Sequence, residues 1–120
     1  MKNRVRSFRY AFKGIAGLFY SEPNARIHLI MTILVLILGF LFTLSPVEWA
    51  LIALAIGLVF AAEAFNTALE HLVDLVSPEY NELAGRAKDT AAAAVLFSAM
   101  GAAALGLILF APRIWNLFAG

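Results

Sequence analysis

The chain has 120 residues, of which 62% are apolar and only 14% are charged. Soluble domains are about 45–50% apolar and about 25% charged, so this composition excludes an ordinary soluble domain and points to a single membrane-embedded domain. The absence of cysteine excludes disulfides, thiolate metal sites and cysteine nucleophiles. A net charge of +1 gives no overall field that would attract nucleic acid.

The first segment, about residues 1–20, is predicted to be an amphipathic helix that lies on a membrane surface. Its apolar side chains recur at steps of three and four residues: Val5, Phe8, Phe12, Ile15 and Phe19. Basic residues occupy the other faces: Arg4, Arg6, Arg9 and Lys13.

Three apolar stretches follow, and each is a candidate membrane span, at about residues 27–44, 47–76 and 88–111. The first is just long enough to cross a hydrocarbon layer of about 30 Å. The second contains ionisable residues after Ala62, so its last turns bring such groups into or beside the membrane. The third is predicted to end before Pro112, because proline interrupts helices.

Proline also marks the connections between these spans. Ser45-Pro46 predicts a tight turn that makes the first two spans a helical hairpin, and Glu48 suits the first turn of the second helix. Ser77-Pro78 predicts the end of that helix, followed by a linker up to about residue 89 that Gly85 interrupts.

Lysine and arginine are distributed unevenly around the spans. Six precede the first span, two lie in the linker at 77–89, one follows the third span, and the hairpin turn has none. Because positive residues are retained on the cytoplasmic side, we predict a cytoplasmic N-terminus and linker, with the hairpin turn and C-terminus outside.

The polar residues of the second span share one face. At about 100° per residue, Glu63, Asn66, Glu70 and Asp74 lie within roughly 80° of one another. A carboxylate in hydrocarbon costs at least ~2.5 kcal/mol, so three acids on one face indicate a function. They could instead pair with lysine or arginine, or lie in cytosolic water.

The spans contain no lysine or arginine at the depth of Glu63, so its predicted partner is a metal ion or a proton from outside the chain. Carboxylates suit a hard cation such as Mg²⁺, which keeps water ligands and shares its shell with phosphates, and two histidines are too few for a zinc site. Glu22, before the first span, could complete the metal shell or be a solvated charge. Lys88 could neutralise a phosphate or belong to a solvated loop.

Small residues recur every four positions in the third span, a pattern that lets helix backbones pack closely in lipid: Ala94, Ser98, Ala102 and Gly106. Three spans can hardly shield the acidic face on every side. We therefore predict a homo-oligomer with its sites between protomers.

Two stretches together resemble the signature of the prokaryotic diacylglycerol kinase family, which includes the undecaprenol kinases. The first is Glu63-Ala-Phe-Asn66-Thr-Ala-Leu-Glu70-His-Leu-Val-Asp74, and the second runs from Glu79-Tyr80-Asn81-Glu82 to Gly85-Arg86-Ala87-Lys88-Asp89. The resemblance extends over almost the whole chain. It implies a homotrimeric kinase of the bacterial inner membrane that transfers the γ-phosphoryl group of ATP, with Mg²⁺, to a lipid alcohol at the cytoplasmic face.

The resemblance also implies roles for individual residues. Glu63 would be the general base that takes the proton of the lipid hydroxyl, and Glu22 and Glu70 would hold Mg²⁺ on the ATP phosphates. The nucleotide site would be lined by Arg6, Tyr10, Glu22, Glu70, Glu79, Asn81, Lys88 and Asp89. The lipid would lie along Phe12, Arg26, Trp49 and Glu63, and Asn66 and Asp74 would be supporting residues of the acidic face.

The resemblance points to two lipid alcohols. The Gly85–Asp89 stretch is similar to Gram-negative members and favours diacylglycerol. Diacylglycerol is by a narrow margin the expected substrate, and its product would be phosphatidic acid. Asn24-Ala-Arg26-Ile-His28 and Asn66-Thr-Ala are similar to the Gram-positive undecaprenol kinases, so undecaprenol is the alternative.

Two functions of other classes also fit an acidic face in a membrane. A small channel or proton-coupled transporter would use Glu63 and Glu70 as an ion relay. A membrane scaffold would use only the small-residue face of the third span. Neither function needs Tyr10, Glu22, Lys88 and Asp89 on the cytoplasmic side, so those residues favour the kinase.

Overall fold

The computed structural model describes residues 2–120, which form four helices: α1 (Lys2–Ser21), α2 (Pro23–Leu41), α3 (Pro46–Val76) and α4 (Glu82–Ala119). No strand occurs in this range, so the predicted all-helical class is confirmed. Helix α3 is central, because it packs against each of the other three helices, most extensively against α4. Helices α2, α3 and α4 are each long and apolar enough to cross a membrane.

The chain changes direction between α1 and α2 at Glu22, whose extended backbone precedes Pro23. Arg26 fixes this corner, because its Nε donates a hydrogen bond to the carbonyl of Phe19 at 2.9 Å and its Nη2 donates to the carbonyl of Tyr20. These carbonyls belong to the last turn of α1, where helical partners are lacking. The side chain of Arg26 therefore holds α1 at a set angle to α2.

Helix α2 ends at Leu41, three residues before the predicted end of the first span, and a turn to α3 follows. Thr43 adopts the left-handed backbone conformation with φ 48°, and the N–H of Leu44 then reaches back to the carbonyl of Gly39 at 3.3 Å. This is the bonding pattern of a helix C-cap at which glycine is preferred. Helix α3 begins with a capping box, in which Ser45 and Glu48 each accept the other's backbone N–H.

Trp49 packs against the end of α2 beside this turn. Its ring lies 4.9 Å from that of Phe40, centroid to centroid, and it covers Gly39 so closely that a Cβ there would lie 2.5 Å from the indole. Gly39 is therefore needed for the close approach of the two helices. The small core begins here, with Leu44, Ile52, Leu109 and Phe110.

Helices α3 and α4 are joined by an ion pair near each end. Asp74 pairs with Lys88 at the turn between the helices. At the other end Arg113 Nη2 lies 2.8 Å from Glu48 Oε2, and Arg113 Nη1 donates to the carbonyl of Leu109. These pairs set the register of one helix against the other.

Helix α4 is longer than the predicted third span at both ends, which corrects two expectations. The predicted linker up to residue 89 is shorter, because the Asn81 side chain accepts the N–H of Ala84 at 3.1 Å and starts the helix there, with Gly85 inside it. The helix also continues through Pro112 to Ala119. Arg113 and its bond to Glu48 hold the turn that contains the proline against α3.

Most of the helical surface is apolar and uncovered by the chain itself. Only 11–17% of the residues in the most apolar window of each long helix are buried. Large exposed side chains occur on every helix, among them Phe8, Phe40, Phe65 and Phe97. An apolar surface this extensive requires lipid or further protein around it.

We expect Thr43→Gly to stabilise the hairpin. A left-handed backbone costs a non-glycine residue about 1–2 kcal/mol, and the added flexibility of glycine in the unfolded chain offsets only part of that gain. The midpoint of thermal unfolding in detergent should therefore rise, whereas Ser45→Ala, which removes the cap of α3, should lower it. A lower midpoint for Thr43→Gly would contradict this account of the turn.

Candidate active site

The four polar residues of the acidic face all lie on α3, whose unbroken course from Pro46 to Val76 gives them the predicted helical spacing. Their exposure increases along the helix. Glu63 is 1% exposed, Asn66 and Glu70 are half-buried, and Asp74 is exposed. The face therefore leads from the protein interior at Glu63 towards the turn that joins α3 to α4.

The carboxylate of Glu63 meets a histidine. His28 of α2 places Nε2 3.1 Å from Glu63 Oε1, and no other basic side chain in residues 2–120 comes within 4 Å of this carboxylate. The angle does not make the contact a hydrogen bond. Glu63 therefore has a contact within the chain besides the external metal ion or proton expected from the sequence, and it comes from a histidine that had been given no role.

A signal for this contact was present in the sequence. His28 precedes the end of α2 by 13 residues and Glu63 follows the start of α3 by 17, about 20 Å and 26 Å along the two arms of the hairpin. The two residues therefore lie at similar depths. The sequence does not show which face of α2 meets α3, and the contact depends on that face.

Asn66 and Glu70 form the next layer of the acidic face. Asn66 Nδ2 donates to Glu70 Oε1 at 3.4 Å, a long hydrogen bond. The other amide atom, Oδ1 of Asn66, is buried and has no hydrogen-bond partner. A third unpaired buried oxygen, after those of Glu63 and Asn66, belongs to Thr67, which follows Glu63 by one helical turn and was not singled out from the sequence.

Asp74 and Lys88 form an ion pair with each other across the turn. Pairing with lysine was the alternative explanation for Asp74, and the structure supports it for this residue. The same contact occupies Lys88, which the resemblance assigns to ATP. The pair is partly exposed, so solvent and salt weaken it and a stronger anion can compete for the lysine.

The remaining residues assigned to the nucleotide lie on α1 and around the start of α4. Arg6 and Tyr10 are exposed on α1, and Glu79 and Asp89 are exposed on either side of the start of α4. Asn81 uses its side chain as the cap of α4. Helix α1 packs against the middle of α3 through contacts such as that of Phe19 with Phe60, whose ring centroids are 5.6 Å apart.

Glu22 is half-buried at the corner between α1 and α2, and its carboxylate does not cap α2 although it occupies the capping position. In residues 2–120 no three histidine or acidic side chains come together as a metal site. Neither Glu22 nor Glu70 is thus part of a cluster of three such side chains in these residues. Oxygen ligands are nevertheless present, since Glu70 adjoins the unpaired Oδ1 of Asn66.

The residues assigned to the lipid are spread along the molecule. Phe12 is exposed on α1, and Arg26 binds carbonyls of α1. Trp49 precedes Glu63 by 14 residues of α3, about 21 Å, and packs on the hairpin turn. A lipid that touched both Trp49 and Glu63 would have to extend along nearly half of α3.

Comparison with known proteins agrees with the resemblance. The family profile of the prokaryotic diacylglycerol kinases matches residues 9–110. An undecaprenol kinase of Bacillus subtilis (strain 168) is 42% identical over 109 residues, which cover 91% of this chain and 89% of that protein. A diacylglycerol kinase of Synechocystis sp. is 41% identical over 116 residues, covering 96% of this chain and 66% of that protein.

A more distant relative is a diacylglycerol kinase of Escherichia coli (strain K12), which is 29% identical over 114 residues, covering 95% of this chain and 90% of that protein. The profile match covers most of the chain, and the relatives match it nearly end to end. The chain belongs to the prokaryotic diacylglycerol kinase family and is a lipid kinase.

Proposed function

We propose that this protein transfers the γ-phosphoryl group of ATP to the hydroxyl of a membrane lipid alcohol, with Glu63 as the general base. The observation that carries the proposal is the position of Glu63, which is 1% exposed on an apolar helix and faces no lysine or arginine within 4 Å in residues 2–120. A carboxylate there can accept a proton from a hydroxyl that arrives from the bilayer. An acid needed only for solubility would not be buried.

The residues of the acidic face suit Mg²⁺, which usually binds to one or two carboxylates, water and substrate phosphates. Glu70 and the unpaired Oδ1 of Asn66 offer hard oxygen ligands, and Glu22 has a carboxylate that is free of capping. We assign Glu70 and Glu22 as metal ligands and Asn66 as their neighbour. When bound with ATP, Mg²⁺ would neutralise phosphate charge.

ATP would bind on the side of the molecule where α1, the end of α3 and the start of α4 meet. Support comes from the polar residues of these segments: Arg6 and Tyr10 lie on α1, Glu79 and Asn81 in the turn before α4, and Lys88 and Asp89 in the first turns of α4. Lys88 would exchange Asp74 for a phosphate oxygen. Phosphoryl transfer depends mainly on positioning and on charge stabilisation, which these groups can supply.

The membrane arrangement is part of the proposal. We place the protein in the bacterial inner membrane with α1 on the cytoplasmic surface, because six of nine basic residues precede the first apolar stretch. ATP then reaches the site from the cytosol, while the lipid alcohol reaches Glu63 sideways through the bilayer. Phe12, Arg26 and Trp49 would lie along the lipid.

Undecaprenol is the alcohol favoured by the apolar cavity beside His28, the residue in contact with Glu63. The cavity next to His28 is lined almost entirely by apolar side chains, and Thr32, the polar residue besides His28, already donates its hydroxyl to a backbone carbonyl. Diacylglycerol carries two ester groups that would need donors, whereas a polyprenol carries only its hydroxyl. Diacylglycerol is the second candidate, because of the Gly85–Asp89 stretch.

We further propose that three copies assemble, with each site completed by a neighbouring copy. Two observations support this: the exposed apolar surface of the long helices, and the absence of a cluster of three histidine or acidic side chains in residues 2–120. Part of the small-residue face serves packing within the chain, since Ala102 and Gly106 line the cavity between α2, α3 and α4.

A substrate competition tests the function. Purified protein in detergent, given radiolabelled ATP, Mg²⁺ and equal amounts of a short-chain diacylglycerol and a polyprenol, should label the polyprenol more. A reaction without Mg²⁺ is the control and should label neither. Label mainly in diacylglycerol would reverse the order of the two alcohols, and folded protein that labels neither lipid would contradict the kinase proposal.

Replacement of the two principal acids should give different defects. Removal of a general base costs about 10²- to 10⁴-fold in rate, so Glu63→Gln should abolish transfer and still bind ATP. Glu70→Gln should weaken Mg²⁺-dependent ATP binding. Glu82→Gln, which changes an exposed carboxylate outside the site, is the matched control and should behave as wild type. An active Glu63→Gln enzyme would refute the role of the base.

The assembly is tested by crosslinking in mild detergent. A time course should show bands of one, two and three chains and no larger species. A ladder that never exceeds the single chain would contradict the oligomer, and a prominent band of four chains would contradict the trimer.

A further inference from the structure

We infer that His28 is a positioning residue that holds the carboxylate of Glu63 in the orientation needed for proton transfer. The inference rests on the proposed function of Glu63 as the base. Its starting point is the contact between His28 Nε2 and Glu63 Oε1 at 3.1 Å. Neither the periodicity of α3 nor the acidic motif contains this residue, because it comes from α2.

Burial makes this contact important. The side chain of Glu63 is 2% exposed, and its Oε1 has no hydrogen-bond donor in good geometry in residues 2–120. No hydrogen bond therefore fixes the orientation of this oxygen. Among residues 2–120, His28 is the one histidine, lysine or arginine within 4 Å that can orient it.

The backbone around His28 is itself well fixed. One turn earlier, Ala25 is completely buried where α2 begins. One turn later, Thr32 donates its hydroxyl to the carbonyl of His28 at 2.7 Å. The imidazole is therefore presented from a packed part of α2, as expected of a group that orients another.

The imidazole also separates Glu63 from an apolar space. A cavity of about 90 Å³ lies between α2, α3 and α4, and His28 forms part of its wall together with Val59. His28 keeps 22% of its side chain exposed, whereas Glu63 has almost none. One edge of the ring thus contacts the carboxylate while the remainder borders space that can accept a larger ring.

The imperfect angle is consistent with a site without substrate. Hydrogen bonds between catalytic groups are often poorly aligned before the substrate binds and tighten in the reacting complex. At 3.1 Å a small rotation of the imidazole would let Nε2–H donate to Oε1. Glu63 would then keep its second oxygen for the lipid hydroxyl.

Two substitutions separate this role from simple packing. His28→Gln keeps an amide N–H near the position of Nε2 and loses the ring. His28→Phe keeps a ring, for which the adjoining cavity has room, and loses the nitrogen. Positioning requires the nitrogen, and packing requires the ring.

We expect kcat to fall much further in His28→Phe than in His28→Gln. Misplacement of a catalytic group by about 1 Å can cost on the order of 100-fold, so kcat of His28→Phe should fall by about that factor. His28→Gln should stay within about tenfold of wild type, the range of one altered hydrogen bond. KM for ATP should change in neither variant, because the nucleotide site is elsewhere.

The matched control changes the other histidine of the chain. His71 is exposed on α3 and has no basic or acidic partner within 4 Å in residues 2–120, so His71→Phe should leave kcat unchanged. Thermal unfolding of every variant in detergent shows whether it is folded. Should His28→Phe fail to fold, His28→Met replaces it, with the same expected loss.

The possible outcomes separate the inference from the function on which it rests. Wild-type kcat in His28→Phe, an equal loss in His28→Gln and His28→Phe, or a raised KM for ATP with kcat unchanged would each overturn the positioning role alone. A wild-type protein that phosphorylates neither lipid, or an active Glu63→Gln variant, would overturn both proposals. A large loss in His28→Phe together with rescue in His28→Gln supports both.

Discussion

Glu63 carries a carboxylate, a group that water solvates strongly, at a position that water barely reaches. Burial of an unpaired charge is costly, and pairing is the usual way in which proteins reduce that cost. Here the chain offers one imidazole and no lysine or arginine within 4 Å among the described residues. The hairpin of α2 and α3 provides this contact, because it brings His28 and Glu63 to similar depths from opposite sides of a tight turn.

The rest of the structure extends the site from this buried acid towards solvent. Along α3 the polar residues become more exposed, from the Asn66–Glu70 pair to the Asp74–Lys88 ion pair. Helix α1 is tied to the same side by Arg26. The acidic face thus has an apolar, buried end at Glu63 and a charged, exposed end at Asp74.

Much of this arrangement could be predicted from the sequence, since it depends on local pattern. The apolar stretches locate the three long helices, and helical periodicity places Glu63 and Asp74 on one face. The partner of Glu63 could not be predicted, because α2 is apolar on nearly all sides and no pattern indicates which side meets α3. The predicted ends of α4 differ from the observed ones for a related reason, since they depend on contacts that the local pattern does not show. Arg113 contacts Glu48 and Leu109 where the helix continues past Pro112. Asn81 caps the helix before Gly85.

The ion pairs at the two ends of the α3–α4 pair have one more consequence. From Glu48 to Asp74 is 26 residues of α3, and from Lys88 to Arg113 is 25 residues of α4, about 39 Å and 38 Å of helix. A bilayer with its headgroup regions measures about 40–45 Å, so each pair can lie among headgroups on either side of the hydrocarbon layer. While both pairs are formed, sliding of one helix past the other to match a thinner or thicker bilayer would break them. Mismatch must then be met by tilting the pair as a unit or by deforming the surrounding lipid.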